Sequence, residues 1–314
     1  YTTDPGNPIK GQVWYNETAN TIRVESATTA GAWATGGALN TARSQMGGAG
    51  SGETNAIAMG GNVPPETSNT ELYNGTAWTE VNNMTAATRL SVGVGDNTAA
   101  LAVGGYQTPG YQSKVESWNG TNWTETTNTN SNKGAGGGAG TSTAALAFAG
   151  VPGGPMATNE SWNGSAWTEL ADLSTGRKSG GSSGVLNTAA LYFGGEDPAA
   201  TAVTESWNGS SWTEVGDLNT ARSELAGIGS STLALGAGGF VLPSTYKADV
   251  ELWNGTSWTE TTNIPTATRE YGSGAGLSNT SGVIFGGYVP PGTTAATYEW
   301  LGAGSPVIRT ITTD

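Results

Sequence analysis

Two kinds of charged residue recur along this chain at a nearly fixed phase. Carboxylates stand at Glu71, Glu116, Glu160, Glu205 and Glu251, and cations at Arg43, Arg89, Lys133, Arg177, Arg222 and Arg269. A carboxylate pair could do acid–base work on a glycosidic bond, but that needs two carboxyl groups roughly 5–10 Å apart in unlike surroundings. Repetition in every unit singles out no such pair. It points to one ion pair or charge-assisted hydrogen bond per unit. The chain has neither His nor Cys, which removes imidazole bases, thiolate nucleophiles and the usual zinc and copper ligands. No acidic loop has EF-hand spacing. The glycine runs Gly47-Gly48-Ala49-Gly50 and 134–140 lack the Lys-Ser/Thr ending and the following helix of a phosphate cradle. No cofactor, metal or enzymatic activity is expected.

These residues must be positioned by short strands. Gly accounts for 50 of 314 residues, hydrophobic residues for 36% and charged ones for only 12%, a composition too apolar for disorder and rich in turn formers. The net charge of −13 opposes nucleic acid or an anionic membrane as partner, since both require clustered Lys and Arg, and the 12 cations here are dispersed. There is no signal peptide, no membrane-spanning apolar run and no initial Met, as in a processed chain or a segment of a longer one.

One ten-residue phrase, Glu71-Leu-Tyr-Asn-Gly-Thr-Ala-Trp-Thr-Glu80, returns at 116–125, 160–169, 205–214 and 251–260. Its second aromatic falls at Trp78, Trp123, Trp167, Trp212 and Trp258, at steps of 45, 45, 44 and 46 residues, and Trp33 extends the series by another 45. That period belongs to propeller blades. Each phrase reads as two strands joined at an Asn-Gly pair suited to a type I′ turn. Before it lies an alternating apolar strand ending in Gly-Gly, as at 56–61, 100–105, 190–195 and 283–287, with one Ala exchange at 145–150. Before that comes the cation and a Gly/Ser/Ala run. The order gives four antiparallel strands per unit, A to D, and six blades starting near Arg43, Arg89, Lys133, Arg177, Arg222 and Arg269. The last blade needs an outer strand. The strand around Trp33 can supply it and so remove an open edge, with an in-line strand around Val307 to Ile311 as the rival. The Gly-rich A strands suit the crowded axis, and Trp33, Trp78, Trp123, Trp167, Trp212 and Trp258 are expected to pack between blades.

The paired Gly after the second strand and the later aromatic–Trp pair resemble the Kelch repeat over residues 36–300. The resemblance implies an all-β, six-bladed Kelch-like propeller. The short Asn-Gly hairpin and Gly-rich first strands depart from the usual Kelch pattern. Residues 1–30 stand outside the repeat. Asp4-Pro-Gly-Asn-Pro-Ile-Lys-Gly-Gln-Val-Trp-Tyr-Asn16, followed by Thr18-Ala-Asn-Thr-Ile-Arg-Val24, resembles a segment of bacteriophage tail-fibre and other virion proteins. That likeness implies an attachment segment, 1–30, contacting other virion proteins, ahead of a propeller, 31–314.

In a propeller the B–C and D–A loops share one face. The C–D turns here are nearly uniform, whereas the B–C loops 62–70, 106–114, 151–159, 196–204, 240–248 and 288–297 vary and carry Tyr106, Tyr111, Phe240, Tyr246 and Tyr288. Loops on a rigid scaffold gather binding residues, and Tyr gives contact area at small entropic cost. These five are the candidate partner-binding residues, for a host cell-surface glycan or protein. The expectation is a non-enzymatic phage virion surface protein, fibre or decoration, oligomeric and extracellular. The alternative is a secreted bacterial adhesin or carbohydrate-binding propeller, and a glycan-modifying propeller enzyme comes last.

Overall fold

A computed structural model describes residues 2–5, 12–27, 30–271, 274–303 and 306–311. Every regular element among them is a strand, and six four-stranded antiparallel sheets form the blades of a propeller. Blade 1 shows the pattern. Strand A is Gly47–Gly52, B is Asn55–Met59, C is Thr70–Tyr73 and D is Trp78–Val81, in the spatial order A-B-C-D. The B strands are buried along nearly their whole length, as their continuous apolar runs require.

Blade 6 is completed from the other end of the chain. Its strands Ala275–Ser278, Ser281–Phe285 and Thr297–Leu301 are joined by Ala32–Thr35, with Trp33 opposite Trp300. The rival strand, Pro306–Ile311, pairs with Thr21–Ala27, which pairs in turn with Val13–Asn16. This small three-stranded sheet stands where the other blades have a C–D loop, because Ala32 and Leu301 are the paired residues at that end of blade 6.

The core is six hydrophobic clusters, one between each pair of adjacent blades, the sixth bridging blades 6 and 1. In each, a D-strand Trp meets the neighbouring blade; Trp78 lies 4.8 Å from Phe285, Trp212 4.8 Å from Phe148 and Trp258 4.7 Å from Phe193. Where the neighbour's C strand begins with Thr, the indole N–H of Trp78, Trp123 or Trp258 donates to the hydroxyl of Thr297, Thr70 or Thr204. Where Val occupies that position, Trp167 and Trp33 donate to the carbonyls of Thr127 and Thr262 instead.

The C–D turns differ from the expected type I′. That turn needs positive φ at both central residues, but only the glycine has it, as at Gly75 with φ 88°. Asn74 precedes the bend, and its Oδ1 accepts from the N–H groups of Thr76 and Ala77, both at 2.9 Å. The other four copies repeat this cap. The Asn side chain thus replaces a backbone turn bond.

At the axis, small residues are a steric requirement. A Cβ on Gly227 would lie 2.2 Å from the carbonyl oxygen of Ser182 on the next A strand. The A strands enclose an axial cavity of about 200 Å³.

Candidate functional site

The repeated charges divide into two groups. Arg43–Glu71, Lys133–Glu160, Arg177–Glu205 and Arg222–Glu251 form ion pairs at 2.8, 3.2, 2.6 and 3.1 Å inside their own blades, with all eight side chains buried. The carboxylates also accept from D–A loop N–H groups, as Glu71 does from Asn40 and Glu205 from Ser174. Burial pulls the Lys133 ammonium below its usual range, and Glu160 opposes that shift. These charges are braces, enclosed and inaccessible to a ligand.

Arg89 and Arg269 lie one residue out of this phase. The buried position is occupied by Thr88 and Thr268 in their blades, and the arginines turn onto the face that carries the B–C loops. Each is bridged by its backbone to the first residue of its B–C loop, Arg89 to Tyr106 and Arg269 to Tyr288. The sequence carried the signal. From D-strand Trp to cation is ten residues at Trp33–Arg43, Trp123–Lys133, Trp167–Arg177 and Trp212–Arg222, but eleven at Trp78–Arg89 and Trp258–Arg269.

On that face the five candidate aromatics fall into two clusters. In the first, the Arg89 guanidinium lies 4.5 Å from the Tyr106 ring centre, and Tyr106 meets Tyr111 edge-on at 5.2 Å. Tyr111 extends over Gly134, where a Cβ would come within 2.6 Å of its ring. Arg89 is held by Glu66 at 3.3 Å and by Oε1 of Gln45 at 2.7 Å. In the second, Arg269 lies 4.5, 5.3 and 5.2 Å from the ring centres of Phe240, Tyr246 and Tyr288. Tyr246 stacks on Tyr288 at 6.2 Å and meets Phe240 edge-on at 5.3 Å. Phe240 is buried, whereas the four tyrosines are half-buried.

Between the clusters opens the near mouth of the axial cavity, about 90 Å³ in volume. Its rim is a closed ring of six residues with positive φ: Gln45, Leu90, Ala135, Ser179, Glu224 and Glu270, at 53–59°. Each N–H donates to the carbonyl of its counterpart in the preceding blade, at 2.6–3.1 Å all the way round. This ring was not legible in advance because its residues share a backbone conformation and no side-chain type.

Glu224 and Glu270 put two carboxyl groups on one half of the rim. Burial first, then Glu270, push Glu224 up to about 7, while Arg269, at 3.3 Å, opposes the shift. Glu270 accepts from the Ser44 hydroxyl at 2.9 Å. A raised carboxyl beside a second one is an arrangement that acid–base catalysis can use; here both flank the arginine that holds the aromatic cluster.

The hydroxyls of Tyr106, Tyr111, Tyr246 and Tyr288 make no hydrogen bond within the described residues, so they are free to engage a ligand. Lys178 pairs with Glu196 at 2.9 Å and Lys247 with Asp249 at 3.1 Å, so the cations of this face are matched by acids. The face offers flat apolar rings, hydroxyls and neutralised planar donors, a chemistry suited to a polyhydroxylated ligand.

The blade tryptophans lie elsewhere. Trp78, Trp123, Trp167, Trp212 and Trp258 are buried between blades, and Trp33 is partly buried against Trp300. In the N-terminal segment residues 6–11 lie outside the described residues. Asp4 accepts from Trp14 at 3.0 Å and Asn16 at 2.7 Å, and it pairs with Arg23. No group of three or more acidic residues able to hold a metal occurs among the described residues. No protein-family model matches the chain, and no curated protein matches it.

Proposed function

We propose that this chain is a non-enzymatic, Kelch-like binding propeller of a bacteriophage virion surface, a fibre or decoration component that engages a neutral host-surface glycan through its B–C face. The observation that carries the binding role is the pair of aromatic–arginine clusters flanking the axial mouth, with four free tyrosine hydroxyls between them. Sugar rings stack on such aromatic faces through their C–H surfaces while hydroxyls and guanidinium edges take their oxygens. Because the cations are paired with acids, a neutral polysaccharide fits better than a polyanion. The Gly-Gly and aromatic–Trp repeat supports the Kelch-like assignment. The likeness of residues 4–24 to virion segments supports the particle context, with that segment contacting other virion proteins.

The test is binding of the purified chain to envelope polysaccharides arrayed by sugar class, beside Tyr288→Ala and Tyr106→Ala. Each substitution is expected to weaken binding by roughly tenfold, the loss of one stacking contact of about 1–1.5 kcal/mol. Equal binding by wild type and both variants would overturn the assignment of this face. Co-purification with particles supports the virion context; secretion without particles favours an adhesin. Release of reducing ends by wild type and not by Glu224→Gln would replace the binding role with a hydrolytic one.

A further inference from the structure

The six B–C loops begin with Asn62, Tyr106, Val151, Glu196, Phe240 and Tyr288, so this position is aromatic in blades 2, 5 and 6 alone. In a six-bladed ring, blades 2 and 5 are half a turn apart. Equivalent backbone bridges hold their aromatics, Arg89 to Tyr106 and Ser223 to Phe240, and the residues that follow, Leu90 and Glu224, are opposite members of the rim. Each aromatic opens a short hairpin, 106–111 on blade 2, 240–246 on blade 5 and 288–293 on blade 6. One device, rings packed on a guanidinium and carried by hairpins, therefore stands on both sides of the axial mouth.

The rim sets the distance between the two sides. Its six residues are hydrogen-bonded in sequence at 2.6–3.1 Å. Backbones so joined lie about 4.8 Å apart, and a hexagon of that side is about 10 Å from corner to corner. None of the described residues lining the mouth belongs to either set of rings, so the clusters stand farther apart than the mouth is wide. One pyranose ring is too small to touch both. The ground between them is polar. Glu224 and Glu270 border the mouth, and Lys178 stands on blade 4 beside the rim residue Ser179. Its ammonium is held above the usual range by Glu196 first, and Tyr111 from one cluster and Glu224 from the opposite side add to that.

We infer that a single polysaccharide chain lies across the mouth and occupies both clusters at once, so that this face reads an interior stretch of several sugars and not a lone residue. The inference rests on the glycan reading of the B–C face. A polymer presents the same C–H surface at each repeat, which two copies of one device at a fixed separation can use. A single sugar can meet only one of them. Because both clusters are fixed on one closed ring, engaging the second is an intramolecular step with no flexible linker to order. Affinity should therefore climb steeply once the chain is long enough to span.

The test is titration calorimetry of the full chain with the neutral envelope polysaccharide it binds most tightly on the array, cut to graded lengths from single sugars upward. Beside it stand Tyr106→Ala with Tyr111→Ala, and separately Tyr246→Ala with Tyr288→Ala. Short fragments are expected to bind weakly at two per chain. Fragments long enough to span are expected to bind at one per chain and roughly a hundredfold tighter. Either double variant should erase that gain, binding long fragments no tighter than short ones. Unchanged tryptophan fluorescence and melting temperature show that a variant is folded, and the length series on wild type needs no variant. Affinity independent of length, at two per chain, overturns the inference and leaves the glycan reading standing. So does a gain with length that both double variants keep. Binding to no neutral polysaccharide overturns the inference and the glycan reading together.

Discussion

Breaking the Arg177–Glu205 pair tests what the repeated charges contribute. Both side chains are fully buried at 2.6 Å; Arg177 also donates to the carbonyls of Gly194 and Tyr192 at 3.1 Å each, and Glu205 accepts from the Ser174 N–H at 2.7 Å. Arg177→Met strands a buried carboxylate and two carbonyls, and Glu205→Leu strands a buried guanidinium; each is expected to cost about 3–5 kcal/mol. The double variant buries no unpaired charge. It retains only the orphaned carbonyls and N–H, so it should cost no more than either single change, and the coupling should be at least as large as one single change, about 3–5 kcal/mol. Blade 2 offers a natural comparison, with Thr88 at the cation position while Glu116 still accepts from the Thr85 N–H at 2.7 Å. The assay is urea unfolding followed by tryptophan fluorescence, with the refolding curve superimposed. Single variants losing less than about 1 kcal/mol, or a double variant equal to the sum, would refute the claim that the pair acts as one buried unit.

Gly227→Ala should destabilise by about 1–3 kcal/mol in the same assay, because its Cβ meets the neighbouring strand's backbone and has no soft side chain to displace; an unchanged midpoint would mean the A strands can spread. Glu224 carries its proton to about pH 7 in the fold, whereas an ordinary glutamate carboxyl loses it near 4.5, so the unfolded chain binds fewer protons between these values and stability falls as pH rises through them. Glu224→Gln should therefore gain up to about 3 kcal/mol over wild type above pH 7 and nothing below pH 4.5, as read from melting curves across pH. A chain starting at Gly37 lacks Ala32–Thr35 and leaves Trp300 without its Trp33 partner at 5.0 Å; calorimetry should show a lower, broader transition, and an unchanged one would mean the terminal strand is dispensable.

The blade architecture was legible because a 44–46-residue period keeps aromatic, Gly-Gly and cation positions in phase, and a phase of that kind fixes four strands without further information. Closure through Trp33 was readable for the same reason. Turn geometry was not, since Asn-Gly permits positive φ at both residues and only the local contest between backbone and Asn Oδ1 decides which is used. The two arginines of the B–C face read as braces in the sequence because a single extra residue after Trp78 and Trp258 reverses what the side chain faces, as in any strand. The terminal sheet was invisible for a different reason. Thr21–Ala27 pairs with Pro306–Ile311 across nearly the whole chain, and neither segment belongs to the repeat.

The closure of blade 6 also sets an order of events during biosynthesis. Ala32–Thr35 leaves the ribosome before every other strand of the propeller, yet its partner, Thr297–Leu301, is made more than 250 residues later. At translation rates of about 5–20 residues per second, the wait is roughly 13–50 s. Throughout that interval blades 1 to 5 can assemble from neighbouring segments while Trp33 remains unsheltered and the annulus stays open. The first-made strand of the propeller is thus its final clasp, and the nascent chain must keep it from pairing elsewhere until the last blade arrives.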